Sequence, residues 1–262
     1  MARIICICNQ KGGVGKSATA INLASYLAAM SRSVLLIDTD PQANATSGMG
    51  IKAKREAENL YHTLLGQICI DNIIRKTKIF GCDIIPSCPD LAGTTVELIE
   101  ADQREFRLKK SLESIKSQYD YILIDCPPSL DLLTINGLVA AKEVLIPVQC
   151  EYYALEGLSQ LLNTIDLVKE NLQENLEILG IVLTMFDRRN RLSHQVAKEV
   201  RRHFPGKVFE AVIPRSVSLA EAPSFGQSIL QYAPESKGAK AYRLLAKEII
   251  ELEEKRKVNF SI

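Results

Sequence analysis

The sequence predicts an α/β fold: a doubly wound, mostly parallel sheet between two layers of helices. Three observations carry this. Short β-branched runs alternate with longer amphipathic ones along the 262 residues. Most of the short runs are continuously apolar, the pattern of strands covered on both faces. The first run passes through a glycine-rich loop directly into a helical pattern, the opening of a strand–crossover unit.

Strands are expected at Arg3–Cys8, Ser33–Asp38, Cys82–Pro86, Tyr121–Asp125, Glu143–Val148, Ile178–Thr184 and Val208–Ile213. Helices are expected between them, at Lys16–Met30, Glu105–Ser117, Leu130–Ala141, Leu155–Asn171, Ser193–Phe204 and Ala239–Lys257. No repeat, low-complexity tract or linker interrupts this alternation, so residues 1–262 are expected to form one domain. The charge-rich stretch from Glu251 is expected to fray.

Composition narrows the function classes. Hydrophobic residues make up 47% and charged residues 24%, which fits a globular protein and excludes a disordered or collagen-like one. No apolar run approaches the length of a membrane span, and Ile4–Cys8 is too short for a signal-peptide core. A cytoplasmic protein is expected. None of the seven cysteines forms a CxxC pair. They are expected to be buried small hydrophobes rather than zinc or iron–sulfur ligands. The formal net charge is +1, but residues 1–183 carry 17 Lys/Arg against 22 Asp/Glu, and residues 184–262 carry 15 against 9. The basic C-terminal third hints at an anionic partner.

The first chemical signal is the segment Gln10-Lys11-Gly12-Gly13-Val14-Gly15-Lys16-Ser17-Ala18 between strand and helix. Glycines let successive N–H groups curl inward toward phosphate oxygens, and the helix N-terminus adds partial positive charge. Lys16 can reach β/γ-phosphates, and the Ser17 hydroxyl can ligate Mg²⁺. The strict pattern GxxxxGK[ST] is not met, because Gln10 holds its first position. KGGxGK[ST] itself would arise by chance in about one chain of this length in 10⁴–10⁵.

Two acidic stations follow. Val34-Leu35-Leu36-Ile37 ends at Asp38-Thr39-Asp40, which places carboxylates at a strand's C-terminal end, where ligands of open α/β sheets bind. Tyr121-Ile122-Leu123-Ile124 ends at Asp125, a pattern whose carboxylate can hold Mg²⁺.

KGGVGKS resembles the deviant Walker A loop of the ParA/MinD group of ATPases, a P-loop NTPase-like fold. The resemblance extends over nearly the whole chain. Asp38–Thr46 is similar to the group's DxDPQGNAT. Pro86–Gly93 is similar to the last eight residues of IPATPDLVG, Ile213-Pro214-Arg215 to IPR, Leu219–Gly226 to LSEAPSHG and Ser236–Tyr242 to SRGAxAY. It favours the chromosomal, Soj-like branch. It implies ATP and Mg²⁺ as cofactors, with Lys11, Gly12, Gly13, Val14, Gly15, Lys16, Ser17 and Ala18 cradling the phosphates. Lys11 is implied to reach across a homodimer, Asp40 to activate the attacking water, and Asp38 to lie near the metal. Thr184, Asp187, Pro214 and Arg215 are implied to contact base and ribose.

The group binds DNA nonspecifically as its ATP dimer, and a ParB-like partner stimulates a weak ATPase. Arg189 and Arg215 are implied DNA contacts. Lys237 and Lys240 join them from the basic cluster, where Lys240, Arg243 and Lys247 share one helical face. Few aromatics interleave, which matches phosphate contacts rather than base readout. The implied site of action is the nucleoid, with no membrane. The alternative is a MinD-like membrane-associated ATPase, which needs a C-terminal amphipathic anchor; residues 251–262 have only a thin apolar face. A kinase would show a tyrosine-rich tail and a metal-cluster carrier a CxxC, and a DNA adaptor without hydrolysis would not need Asp40.

Three departures stand out. Ser17 replaces the usual Thr with an equivalent hydroxyl. Ala18 replaces a Thr that often contacts the α-phosphate. Ala43 replaces a Gly, a change of loop flexibility unless φ there must be positive.

Overall fold

A computed structural model describes residues 2–52, 58–152 and 154–259. Its strands are β1 (Arg3–Ile7), β2 (Val34–Asp38), β3 (Arg75–Lys76), β4 (Cys82–Ile85), β5 (Tyr121–Asp125), β6 (Glu143–Gln149), β7 (Glu177–Phe186) and β8 (Val208–Pro214). They form one sheet in the order β3-β4-β2-β5-β1-β6-β7-β8. All pairs are parallel except β3 with β4 at the edge.

The apolar runs explain the layers. Every residue of β2 and β5 is buried, and alternate side chains leave a strand on opposite faces. Ile5, Ile7, Val34, Leu36 and Leu123 pack with the first helix (Lys16–Ala29) and the C-terminal helix (Lys237–Asn259). Cys6, Cys8, Leu35, Ile37, Ile122 and Ile124 pack on the other face. Helices Arg107–Leu112, Leu132–Ala140, Ala154–Asn171 and Arg191–His203 cover that face. This is the doubly wound three-layer architecture that the sequence predicts.

Several details differ from the sequence reading, among them short helices at Asn44–Gly48, Leu60–Leu64, Val217–Glu221 and Ile229–Tyr232 that it did not expect. Strand β3 is two residues long and carries no periodic signal. The helix expected at Glu105–Ser117 is a 3₁₀ turn, Arg104–Phe106, followed by Arg107–Leu112. Cys69 is exposed, whereas the other six cysteines are buried. The C-terminal helix runs to Asn259, past Glu251. Hydrogen bonds dock it on the body as far as Glu253. Ile249 O accepts Arg3 Nη1 at 2.7 Å, Glu248 accepts the Glu210 and Ala211 N–H groups at 2.9 and 2.8 Å, and Glu253 accepts the Tyr121 hydroxyl.

The strand order places the site. Strand β1 lies between β5 and β6, and β2 lies beyond β5. The C-terminal ends of β1, β2 and β5 therefore converge, with Asp38 and Asp125 as register partners. Loops leaving these ends share one edge of the sheet.

Candidate functional site

The loop after β1 is held from beneath. Asn9 Nδ2 donates to Pro147 O at 2.7 Å, and Asn9 Oδ1 accepts the Lys11 N–H at 3.0 Å. Gly13 and Gly15 have φ of 73° and 88°. Glycine takes that left-handed conformation without steric cost, and Gly15 there caps the first helix. Gly12 and Gly13 are exposed, so the concave side of the loop faces solvent.

Lys16 opens the helix and turns back into the loop, where its Nζ donates to Lys11 O at 3.1 Å. It is buried, and burial lowers its pKa, against the pull of Asp125 and Asp40. A desolvated ammonium held over a glycine-rich loop at a helix N-terminus suits a polyanion. Ser17 and Ala18 follow on the helix's first turn, half-buried.

Asp38 and Asp125 contrast. Asp38 is fully satisfied: Oδ1 accepts the Asp40 N–H at 3.1 Å, and Oδ2 accepts the Thr46 N–H and hydroxyl, both at 2.7 Å. Burial nevertheless pushes its pKa up to about 6. Asp125 is fully buried, and neither carboxylate oxygen has a hydrogen-bond partner. Burial and the Asp38 charge raise its pKa well above the ordinary range, while Ser17 and Lys16 favour its charged form. A buried carboxylate with free lone pairs beside a serine hydroxyl fits a hard divalent cation, whose charge would replace the missing partners.

The segment after β2 is a tight turn. Asp40 is buried; its Oδ1 accepts the Gln42 N–H at 2.9 Å and its carbonyl accepts the Ala43 N–H at 2.8 Å. Ala43 has a φ of 54°, in the left-handed region. The condition named in the sequence reading, a positive φ, is met here: the Ala43 methyl is strained where a glycine would not be.

Thr184 donates its hydroxyl to Val14 O at 2.8 Å, which makes it a support of the glycine loop. Past the end of β7, Asp187 accepts the Arg189 N–H at 2.9 Å and pairs with the Arg189 side chain at 3.2 Å. Pro214 is in register with Phe186, and the Arg215 N–H donates to Phe186 O at 3.1 Å.

Arg188, Arg189, Arg215, Lys237 and Lys240 line a groove of about 920 Å³. The helix face turned into it is Lys237, Lys240, Ala241 and Leu244. Arg243 and Lys247, expected on the same face as Lys240, do not line it. Lys247 instead pairs with Glu251 at 3.6 Å.

Glu151, Thr46 and Ser87 escaped the sequence reading as site residues. Glu151 lies 3.2 Å from Lys11 Nζ and 3.7 Å from Arg215 Nη2. Thr46 meets Asp38 within one segment, whereas the Ser87 contacts to Thr46 and Asp40 depend on the pairing of β2 with β4.

A family model for the AAA domain matches residues 2–178. The chain is 53% identical over 250 residues to the chromosome partitioning protein ParA of Myxococcus xanthus, covering 95% of this chain and 88% of that protein. It is 53% identical over 249 residues to the sporulation initiation inhibitor protein Soj of Bacillus subtilis, covering 95% and 98%. Among solved structures it matches the cobyrinic acid a,c-diamide synthase of Mycobacterium smegmatis with bound ATP analog and magnesium. The TM-score is 0.86 at 33% identity, over 97% of this chain and 96% of that one. Identity above one half over nearly the full length, on the architecture described, places the molecule: this chain belongs to the ParA/Soj family of chromosome-partitioning ATPases.

Proposed function

We propose that this chain binds Mg²⁺-ATP, dimerises around two nucleotides, coats DNA without sequence preference and is reset by slow hydrolysis. A ParB-like protein and DNA would stimulate that hydrolysis. We read residues 1–262 as one ATPase domain that works in the cytoplasm, on the nucleoid. The observation that carries the reading is Asp125, buried with both oxygens unpaired, beside Ser17 and Lys16.

The roles follow from position. The N–H groups of residues 12–18 and the Lys16 ammonium bind and neutralise phosphates. Ser17 and Asp125 would hold Mg²⁺, with Asp38 behind them; the metal supplies charge neutralisation on the phosphate oxygens. Asp40, held by its turn, orients the water and accepts its proton at the carboxylate. Thr184 keeps the loop in shape. Asp187, Pro214 and Arg215 flank the base and ribose. Lys11 offers a second ammonium to the partner's nucleotide. Arg189, Arg215, Lys237 and Lys240 meet DNA phosphates from the basic groove, and dimerisation doubles that surface.

A membrane role of the MinD kind would need the C-terminal helix to lie free as an amphipathic anchor. The C-terminal helix is docked on the body as far as Glu254, which lies 3.9 Å from Arg32.

The test is sizing by light scattering with ATP, ADP and no nucleotide, each with and without DNA, alongside phosphate release. A dimer retained on DNA only with Mg²⁺-ATP is the expected result. Equal DNA retention in all three nucleotide states would overturn the reading.

A further inference from the structure

We propose that Ser87 is a positioning residue for the hydrolytic step: it fixes the backbone from which Asp40 acts. The inference rests on the reading of Asp40 given above and extends it to a residue two positions beyond the end of β4. Strands β2 and β4 are parallel, with Ile37 opposite Ile85. Ser87 therefore emerges beside the turn that follows Asp38.

There it grips that turn at two points. The Ser87 hydroxyl donates to Asp40 O. The Ser87 N–H donates to Thr46 Oγ1 at 2.9 Å, and that same hydroxyl donates onward to Asp38 Oδ2 at 2.7 Å. One buried serine thus ties Asp40, Thr46 and Asp38 together. It is 1% exposed, so water does not compete for either bond.

The turn needs holding. Ala43 sits between the two grip points in a left-handed conformation that an alanine side chain disfavours. Relaxation of Ala43 would swing the peptide whose carbonyl Ser87 holds, and the Asp40 carboxylate with it. Alanine stands at the position of Ser87 in the motif that Pro86–Gly93 resembles. The serine hydroxyl therefore matches a strain that this chain carries at Ala43, where the related motif has glycine.

The experiment compares Ser87→Ala, Ser87→Thr and Ser87→Cys for kcat and for the affinity of a fluorescent ATP analogue. Ser87→Ala should lower kcat about five-fold, the rate equivalent of one neutral hydrogen bond. Nucleotide affinity should stay within about two-fold, because the glycine loop is untouched. Ser87→Thr keeps the hydroxyl and should restore kcat; Ser87→Cys, nearly isosteric but a weak donor, should behave like Ala. Wild-type kcat in Ser87→Ala overturns the proposal, as does a parallel loss of kcat and nucleotide affinity. Asp40→Ala in the same assay separates the two levels. If Asp40→Ala abolishes turnover while Ser87→Ala does not lower it, the positioning role alone fails. If Asp40→Ala turns over normally, the reading beneath it fails as well.

Discussion

The Lys11 ammonium lies 3.2 Å from the Glu151 carboxylate of its own chain, and Glu151 is shared with Arg215 at 3.7 Å. Both ends of the Lys11 pair are about two-fifths exposed, at 39% and 45%. An ion pair in such a setting is worth on the order of 1 kcal/mol or less. It cannot hold Lys11 against a triphosphate presented by a second subunit. Lys16, moreover, uses only the Lys11 carbonyl, which any residue provides.

Lys11→Ala should therefore leave ATP affinity of the monomer within about three-fold and abolish the ATP-dependent dimer, since one charged contact is lost per nucleotide. Glu151→Gln should change the dimerisation constant by less than about five-fold. Light scattering with ATP, set beside calorimetric nucleotide titration, checks both. A Lys11→Ala protein that still dimerises with ATP removes the cross-subunit role.

Asp125 sets a cost on the metal-free protein. A carboxylate with a raised folded-state pKa keeps its proton to higher pH in the native chain than in the unfolded one. Stability at that site is therefore lost as pH rises from the ordinary carboxylate value upward. For Asp38 the window runs from about 4 to about 6; for Asp125 the direction is the same. Asp125→Asn should raise the melting temperature of the nucleotide-free protein at pH 8 by about 3 °C or more, the equivalent of about 1 kcal/mol. It should also flatten the decline between pH 5 and 8. The gain on adding Mg²⁺-ATP should shrink in the same variant. Scanning fluorimetry at the two pH values decides; a lower melting temperature for Asp125→Asn at pH 8 would contradict the buried-charge argument.

The residues readable in advance were those whose signal is local. Lys16 and Gly15 lie in one loop, and Asp125 ends its own apolar run. Residues that act through strand register were not readable. Ser87 meets Asp40 across 47 positions, and Glu151 meets Lys11 across 140. The split of the helix after Arg104 has the same origin. Asn136 donates to Arg104 O at 2.9 Å and accepts the Leu108 N–H at 3.1 Å, so a distant side chain takes up both ends of one helical bond, that from Leu108 N–H to Arg104 O. The propensity of Glu105–Ser117 contains no trace of that contact. The fold class was legible because continuous apolar runs report burial on both faces, whatever the order of the strands.

Ala43 offers a test by sign. Replacing alanine by glycine in a helix interior costs about 1 kcal/mol. At a φ of 54° the balance reverses. The left-handed conformation costs an L-residue roughly 1–2 kcal/mol, and glycine's extra unfolded-state entropy returns only about 0.5–1. Ala43→Gly should thus leave the melting temperature unchanged or raise it by up to about 4 °C. Ala24→Gly, inside the first helix, should lower it. Thermal melts of the two variants side by side decide it, and a fall in Ala43→Gly equal to that in Ala24→Gly would show that Ala43 is not strained.

Arg189 enters the basic groove already paired with Asp187 at 3.2 Å, yet its side chain is 92% exposed. So exposed a pair is screened by salt and contributes little, which leaves the guanidinium available to a phosphate. Each phosphate contact contributes about 0.9 to the slope of log K against log salt. A residue that contacts one phosphate per protomer acts twice in a dimer. Arg189→Ala, or Lys240→Ala, should therefore reduce the slope by about 1.8 and weaken binding equally on unrelated DNA sequences. Asp187→Asn removes a nearby negative charge and should strengthen binding by a few-fold, most clearly at low salt. Filter binding of the ATP-loaded protein at four salt concentrations measures all three. An unchanged slope in Arg189→Ala and Lys240→Ala alike would mean that DNA does not enter this groove.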